Sequence, residues 1–336
     1  MRTYSRRHLI RQAGAAALVA ALPLPAISFV KKNSMNPKKE FEVIIIGGSY
    51  AGLSAALALG RSRRTVLIID SGLPCNRQTP HSHNFLTQDG ATPAAIAAKA
   101  REQVLQYDTV SFLSGIALSG KKTENGFSIT TDAQETFSAQ KLIFATGIKD
   151  SMPDIKGFSA CWGISVIHCP YCHGYEFSGQ KTGIFANGDR AFHIASLVNN
   201  LTSDITMMPS GPATFTEEQK EKLHRHNINI EETGVVEIIH ENGQLKSVLY
   251  TDGRQQDLKA LYAALPFEQH SGIPASLGCA ITEAGYIQVD AFQKTTIEGV
   301  YACGDNAAMM RSVAHAVYAG NLAGAMVNRE LVEDSF

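Results

Sequence analysis

Phe41 to Asp70 reads FEVIIIGGSYAGLSAALALGRSRRTVLIID, and the pattern of this stretch decides the fold. Val43 to Ile46 form a short unbroken apolar run rich in β-branched residues, as a strand buried on both faces requires. A glycine-rich turn follows, then an Ala/Leu-rich helix from about Ala51, then a second apolar strand over Thr65 to Ile69. Together these make a βαβ unit, whose turn sets backbone N–H groups and a helix N-terminus against a pyrophosphate. The fingerprint positions of such a turn fall on Gly47, Ser49 and Gly52, so a serine holds the middle one. Gly47, Ser49, Ala51 and Gly52 are therefore candidate cofactor-binding residues. Asp70 ends the second strand, 18 positions beyond Gly52, where a ribose-binding carboxylate belongs.

Outside this unit, bulk composition sets limits. A chain of 336 residues suggests two domains, and 44% hydrophobic with 18% charged residues suits a soluble protein with a sizeable core. A formal net charge of −1 implies no field-driven attraction to nucleic acid or anionic lipid. Of the six cysteines, Cys75, Cys161, Cys279 and Cys303 are scattered and read as small buried hydrophobes. Residues 1–30 have a basic start and an Ala-rich apolar stretch. Ser5-Arg6-Arg7 followed by His8-Leu9-Ile10 reads as a twin-arginine signal for export to the periplasm. Ala26-Ile27-Ser28 is the nearest cleavage site, and two prolines argue against stable membrane insertion. Left uncleaved, the segment would instead be a membrane anchor, and a start at Met35 would give a cytoplasmic protein.

His168 to Glu176 read HCPYCHGYE. Two cysteines at this spacing suit a redox disulfide, half of a zinc site or, with His173, a c-type haem attachment. Zinc needs three or four ligands, and no second Cys-x-x-Cys pair exists, so no metal is expected. Haem is attached to an unfolded chain, whereas a twin-arginine signal exports a folded one. A Cys-x-x-Cys pair beside a histidine favours a depressed thiol pKa, and the thiolate is the reactive species.

Two later stretches extend the nucleotide-binding theme. KLIFATGIKD is an apolar strand ending in Ala145-Thr146-Gly147, and TTIEGVYACGDNA is another, ending in Gly304-Asp305 before a helix from Arg311. With the first glycine turn, these features resemble the FAD domain of thioredoxin-reductase-like flavoproteins, from about Phe41 to Leu331. The resemblance implies an α/β fold of two doubly wound, three-layer βαβ nucleotide-binding domains, the second inserted in the first. The FAD domain would cover 38–150 and 261–336, and an NAD(P)-binding-like domain with the cysteine pair would cover 151–260. It further implies that Asp305 holds the ribityl chain of FAD, with Gly304 before it also cofactor-binding and Ser312 and Val313 facing the flavin pyrimidine edge. Asn76 and His83 fall in the loop facing the isoalloxazine. A homodimer is also implied.

The second domain departs from the nicotinamide-binding pattern. In KTGIFANGDRAFHIASLV, Ala186 stands where the turn would begin with glycine. MMPSGPATFTEEQ, after the next strand, offers no arginine or lysine before Lys220 to pair with a 2′-phosphate. Cys-Pro-x-Cys followed by His-Gly-Tyr-Glu is similar to the dithiol-oxidising branch, typified by the gliotoxin and holomycin oxidases. That similarity implies Cys172 as the flavin-proximal sulfur, Cys169 as the interchange thiol and His173 as the general base, with His168 assisting or merely packing. The expected activity is oxidation of a small or protein dithiol, with oxygen or another acceptor reoxidising FAD. A thioredoxin-reductase-like enzyme drawing on NAD(P)H and a non-catalytic nucleotide-binding protein are the alternatives.

Overall fold

Side chains of the first apolar run point alternately to opposite sides, so both sides must be covered. In the computed structural model, which describes residues 39–336, Val43 and Ile45 enter one core while Ile44 and Ile46 enter another. The signal segment and Met35 lie outside the described residues. Glu40–Ile46 is a central parallel strand, flanked by Val66–Asp70 and by Thr136–Phe144. Val110–Ser114 extends the sheet beyond Val66–Asp70. On the opposite side, Thr136–Phe144 carries two partners along one edge. The hairpin Ala117–Thr123 and Gly126–Thr131 pairs antiparallel with its first half, and Val300–Ala302 pairs parallel with its second. Three helices, Tyr50–Arg61, Pro93–Val104 and Val313–Glu333, cover one face, and a stretch containing Ile273, Cys279 and Ile287 covers the other.

The first and last of these helices meet backbone to backbone. A Cβ on Gly320 would sit 2.0 Å from the Ala51 carbonyl oxygen, and one on Gly324 would sit 2.5 Å from that of Ala55. Alanine normally gains about 1 kcal/mol over glycine inside a helix. Here a rigid carbonyl blocks the methyl group, and overpacking of about 1–3 kcal/mol wins. Gly320→Ala is therefore expected to lower the denaturation midpoint; a raised midpoint would show that the helices separate without cost.

A second parallel sheet runs in the order Asn229–Ile230, Ile205–Met207, Thr182–Phe185, Ala260–Ala263, Val166–Ile167. Thr182–Phe185 leads through a short turn into the helix Gly188–Val198, as the sequence pattern requires. Beside this sheet lies an antiparallel meander of Val235–Glu241, Gln244–Tyr250 and Gln255–Asp257. The expected return to the first domain at residue 261 is corrected. Ala260–Ala263 is hydrogen-bonded between Thr182–Phe185 and Val166–Ile167, so the second sheet keeps it and the chain leaves only after Ala263. The outgoing strand Ile148–Asp150 and the returning strand Phe267–Gln269 then pair as an antiparallel ribbon. Among the described residues, no helix is long and apolar enough to cross a membrane.

Candidate active site

Glycines close the first turn tightly enough for a ligand to lie against backbone. Gly47 has φ +104°, and a Cβ there would fall 2.2 Å from the Ala145 carbonyl oxygen, so the turn runs directly against Ala145-Thr146-Gly147. Gly52 has the packing task that the third glycine of the fingerprint carries. Its missing Cβ would lie 1.8 Å from the Gly47 carbonyl oxygen, so it packs the helix onto the turn and does not line the cleft. Ser49 precedes the helix without a side-chain cap, and the first turn carries no acidic residue. The leading N–H groups of a 12-residue helix are thus open at Ser49, Tyr50 and Ala51, all on the cleft wall.

The cleft has a volume of about 410 Å³ and collects nearly every residue expected to hold the cofactor. Asp70 lines it, with its carboxylate fixed by the N–H groups of Gly48 at 2.7 Å and Gly72 at 3.0 Å. Asn76 donates to the Tyr50 hydroxyl at 3.2 Å, and His83 stands at the cleft edge. Gly304 adopts φ +87° and presents Asp305 to the cleft. Ser312 accepts from the His315 N–H at 3.1 Å, so the terminal helix begins at Val313, two residues later than the sequence reading; both residues line the cleft.

Arg311, which the sequence reading passed over, ties this end of the site together. Its guanidinium donates twice to Asp150, at 2.7 and 2.9 Å, and its Nε lies 3.6 Å from Asp305 Oδ2. Burial pushes the Asp305 carboxyl above its ordinary range, and Arg311 opposes that shift. Arg311 Nε and His168 Nε2 are both buried without a hydrogen-bond partner, although both residues line the cleft. Such unpaired donors and acceptors suit a polar ligand that completes them. Cys75 is corrected as well: it is exposed on the cleft wall, with its sulfur 3.9 Å from Asp305 Oδ2, whereas Cys161, Cys279 and Cys303 are buried. Although the residue is exposed, the cleft walls around its sulfur desolvate the thiol and, with Asp305 beside it, push it up to about 11.

Cys169 and Cys172 are joined as a disulfide with a Cα–Cα distance of 5.3 Å. Cys169 precedes the short helix Pro170–His173, and proline in its first turn presets the backbone. This turn aims Cys172 and His173 into the cleft, while Cys169 stays outside its lining. Burial holds the His173 imidazole below its ordinary range; Glu176 opposes that shift and His83 adds to it. His173 is therefore neutral at pH 7 and able to accept a proton. Burial takes His168 down to about 3, so it stays neutral and packs near the Trp162 ring, 6.2 Å between centroids.

The corresponding turn of the second sheet is closed by its own side chains. Asn187 Oδ1 accepts from the N–H groups of Gly188 and Thr214 at 2.8 and 2.9 Å, and its amide donates to the Pro212 carbonyl at 2.9 Å. Asp189 lies in the first helical turn beside Arg190 and accepts from the Gln219 amide at 2.7 Å, and Glu232 accepts from the Ala213 N–H at 2.7 Å.

Residues 41–320 match the pyridine nucleotide-disulphide oxidoreductase family. A relative named thioredoxin reductase tcpT, from Claviceps purpurea, is 32% identical over 89% of this chain and 97% of its own length. The solved structure of an oxidoreductase from Agrobacterium tumefaciens is 37% identical, with a TM-score of 0.82, over 88% of this chain and 99% of that one. The structure of HlmI is 28% identical, with a TM-score of 0.83, over 88% of this chain and 93% of that one. The cleft fits the FAD of such proteins. It offers an open helix start, a turn that no Cβ may enter, a fixed carboxylate at Asp70, and unpaired polar atoms on Arg311 and His168.

Proposed function

The chain belongs to the pyridine nucleotide-disulphide oxidoreductase family and uses FAD to act on disulfides or dithiols, and from that premise we propose that it oxidises a dithiol through Cys169 and Cys172. Molecular oxygen or another acceptor takes the electrons. Two contrasting helix N-termini carry this reading. One opens onto the cleft that Cys172 and His173 enter. The other is capped by Asn187, whose side-chain oxygen accepts from the N–H groups of Gly188 and Thr214. Hydride transfer from a nicotinamide depends on remote phosphate contacts to hold the ring in place. A helix start already capped by Asn187, followed by a segment with no lysine or arginine before Lys220, weakens that hold.

Each step then falls to a named group. His173 takes the proton of the first substrate thiol. The resulting thiolate attacks the Cys169 sulfur, the S–S bond breaks, and Cys172 leaves as a thiolate. The second substrate thiol displaces Cys169, which releases the substrate disulfide and leaves two reduced cysteines on the protein. Bound FAD supplies the sink for that electron pair. Asp305 and the turn at Gly47 hold and orient the cofactor.

Anaerobic mixing tests the proposal. Dithiothreitol should bleach the FAD-loaded protein, and air should restore its spectrum; neither NADPH nor NADH should bleach it at the rate of an ordinary reductase. Rapid bleaching by NADPH would favour thioredoxin-type reduction, in line with the names of the relatives. Bleaching by none of the three would leave a nucleotide-binding protein without turnover. Export is proposed on the twin arginines alone. Arg6→Lys combined with Arg7→Lys should hold the protein in the cytoplasm, and unchanged distribution would overturn that proposal.

A further inference from the structure

His173 faces two cavities. Besides the cofactor cleft, it lines a groove of about 480 Å³, together with His83, Glu176, Gln180, Lys246 and Lys259. His83 and His173, with Gly163, line both cavities, the two rings edge-on at 89° with centroids 6.5 Å apart. His83 is held there by Glu176, with Nε2 3.3 Å from Oε1. The groove reaches His173 from outside the cofactor cleft. Its size falls in the range for small molecules, about 300–1,000 Å³.

Charge in the groove is uneven. Glu176 is the one carboxylate among its lining residues, and it is engaged with His83. Lys246 pairs with Glu241 at 3.3 Å, but both side chains are well exposed, so the pair is weak and screened. No ion pair engages Lys259 among the described residues. The groove thus has a proton acceptor in one wall and ammonium groups in another.

We propose that this groove admits the substrate and selects a small dithiol bearing a carboxylate, which Lys246 and Lys259 bind while a thiol meets His173. The proposal rests on the dithiol-oxidising reading above. Dihydrolipoate and dihydrolipoamide differ only in the carboxylate and make the test direct. With the FAD-loaded protein at low salt, KM should be about three- to tenfold lower for dihydrolipoate, and the advantage should shrink as salt screens it. Lys246→Glu combined with Lys259→Glu should reverse the preference, while the bound-flavin spectrum reports an intact fold. Calorimetric titration with oxidised lipoate and lipoamide reads the same preference without turnover. Equal KM values in the unaltered protein, or a preference that survives the double substitution, would overturn the inference. A preference for a thioredoxin-sized dithiol over both probes would also overturn it. If neither probe is oxidised, the dithiol-oxidase reading fails; a calorimetric preference for lipoate that the double substitution removes would still support the groove.

Discussion

Cys172→Ser is expected to cut dithiol oxidation to the uncatalysed rate while FAD stays bound. Serine fills nearly the same space, but its oxygen cannot form the bond that a substrate thiolate must break. The elements that hold the cofactor, from the Gly47 turn to Asp305, lie outside the short helix that carries Cys172. Cys75 lines the same cleft, yet it offers no rescue. Its thiol is pushed up to about 11, so almost none is thiolate at neutral pH, and the thiolate is the nucleophile. Cys169→Ser should be equally inactive, because it removes the sulfur proposed to be attacked first. The measurement is product disulfide formed per protein, alongside the flavin spectrum under anaerobic dithiol. Turnover that survives in either variant would show that the pair is structural and that oxidation occurs elsewhere.

Local sequence patterns reveal the first half of this site, and contacts distant in sequence hide the rest. Apolar runs such as Val43 to Ile46 are legible because burial on both faces leaves no room for alternation. The turn is legible because glycine answers a backbone demand, as the approach of Gly47 to Ala145 illustrates. Ala260–Ala263 is equally apolar, but nothing in those four residues says which of two parallel sheets will hold them, so the domain boundary fell short. Gly320 and Gly324 sit in an Ala-rich helix, where small residues carry no signal of the partner that needs them small. Arg311 and Asp150 are 161 positions apart, and only the fold turns them into a pair. Cys75 looked like a core residue because free cysteine commonly is one; here a cleft intervenes. The groove behind His173 had no signature at all, since its walls come from the loop around His83, the cysteine turn and the meander.

His173→Ala is expected to slow dithiol oxidation on the order of 10²–10⁴-fold near pH 7, the usual worth of general acid–base catalysis. The sign of its pH dependence follows from the environment of the imidazole. Burial lowers its pKa from 6.5, and Glu176 restores only part of that, so the base is neutral at pH 7. Activity of the unaltered protein should fall only as pH drops below 6.5, where His173 takes a proton and can no longer accept one. The variant should behave differently at the other end of the scale. An unperturbed thiol has a pKa near 8.5, so toward and above that pH the substrate ionises without help. The deficit of His173→Ala should therefore be largest near neutrality and shrink steadily as pH rises to about 9. Rates with dithiothreitol across pH 6 to 9 would separate a proton acceptor from a packing residue. A loss below about threefold, or a larger loss that stays constant with pH, would assign His173 to holding the cysteine turn in place and leave proton removal to another group.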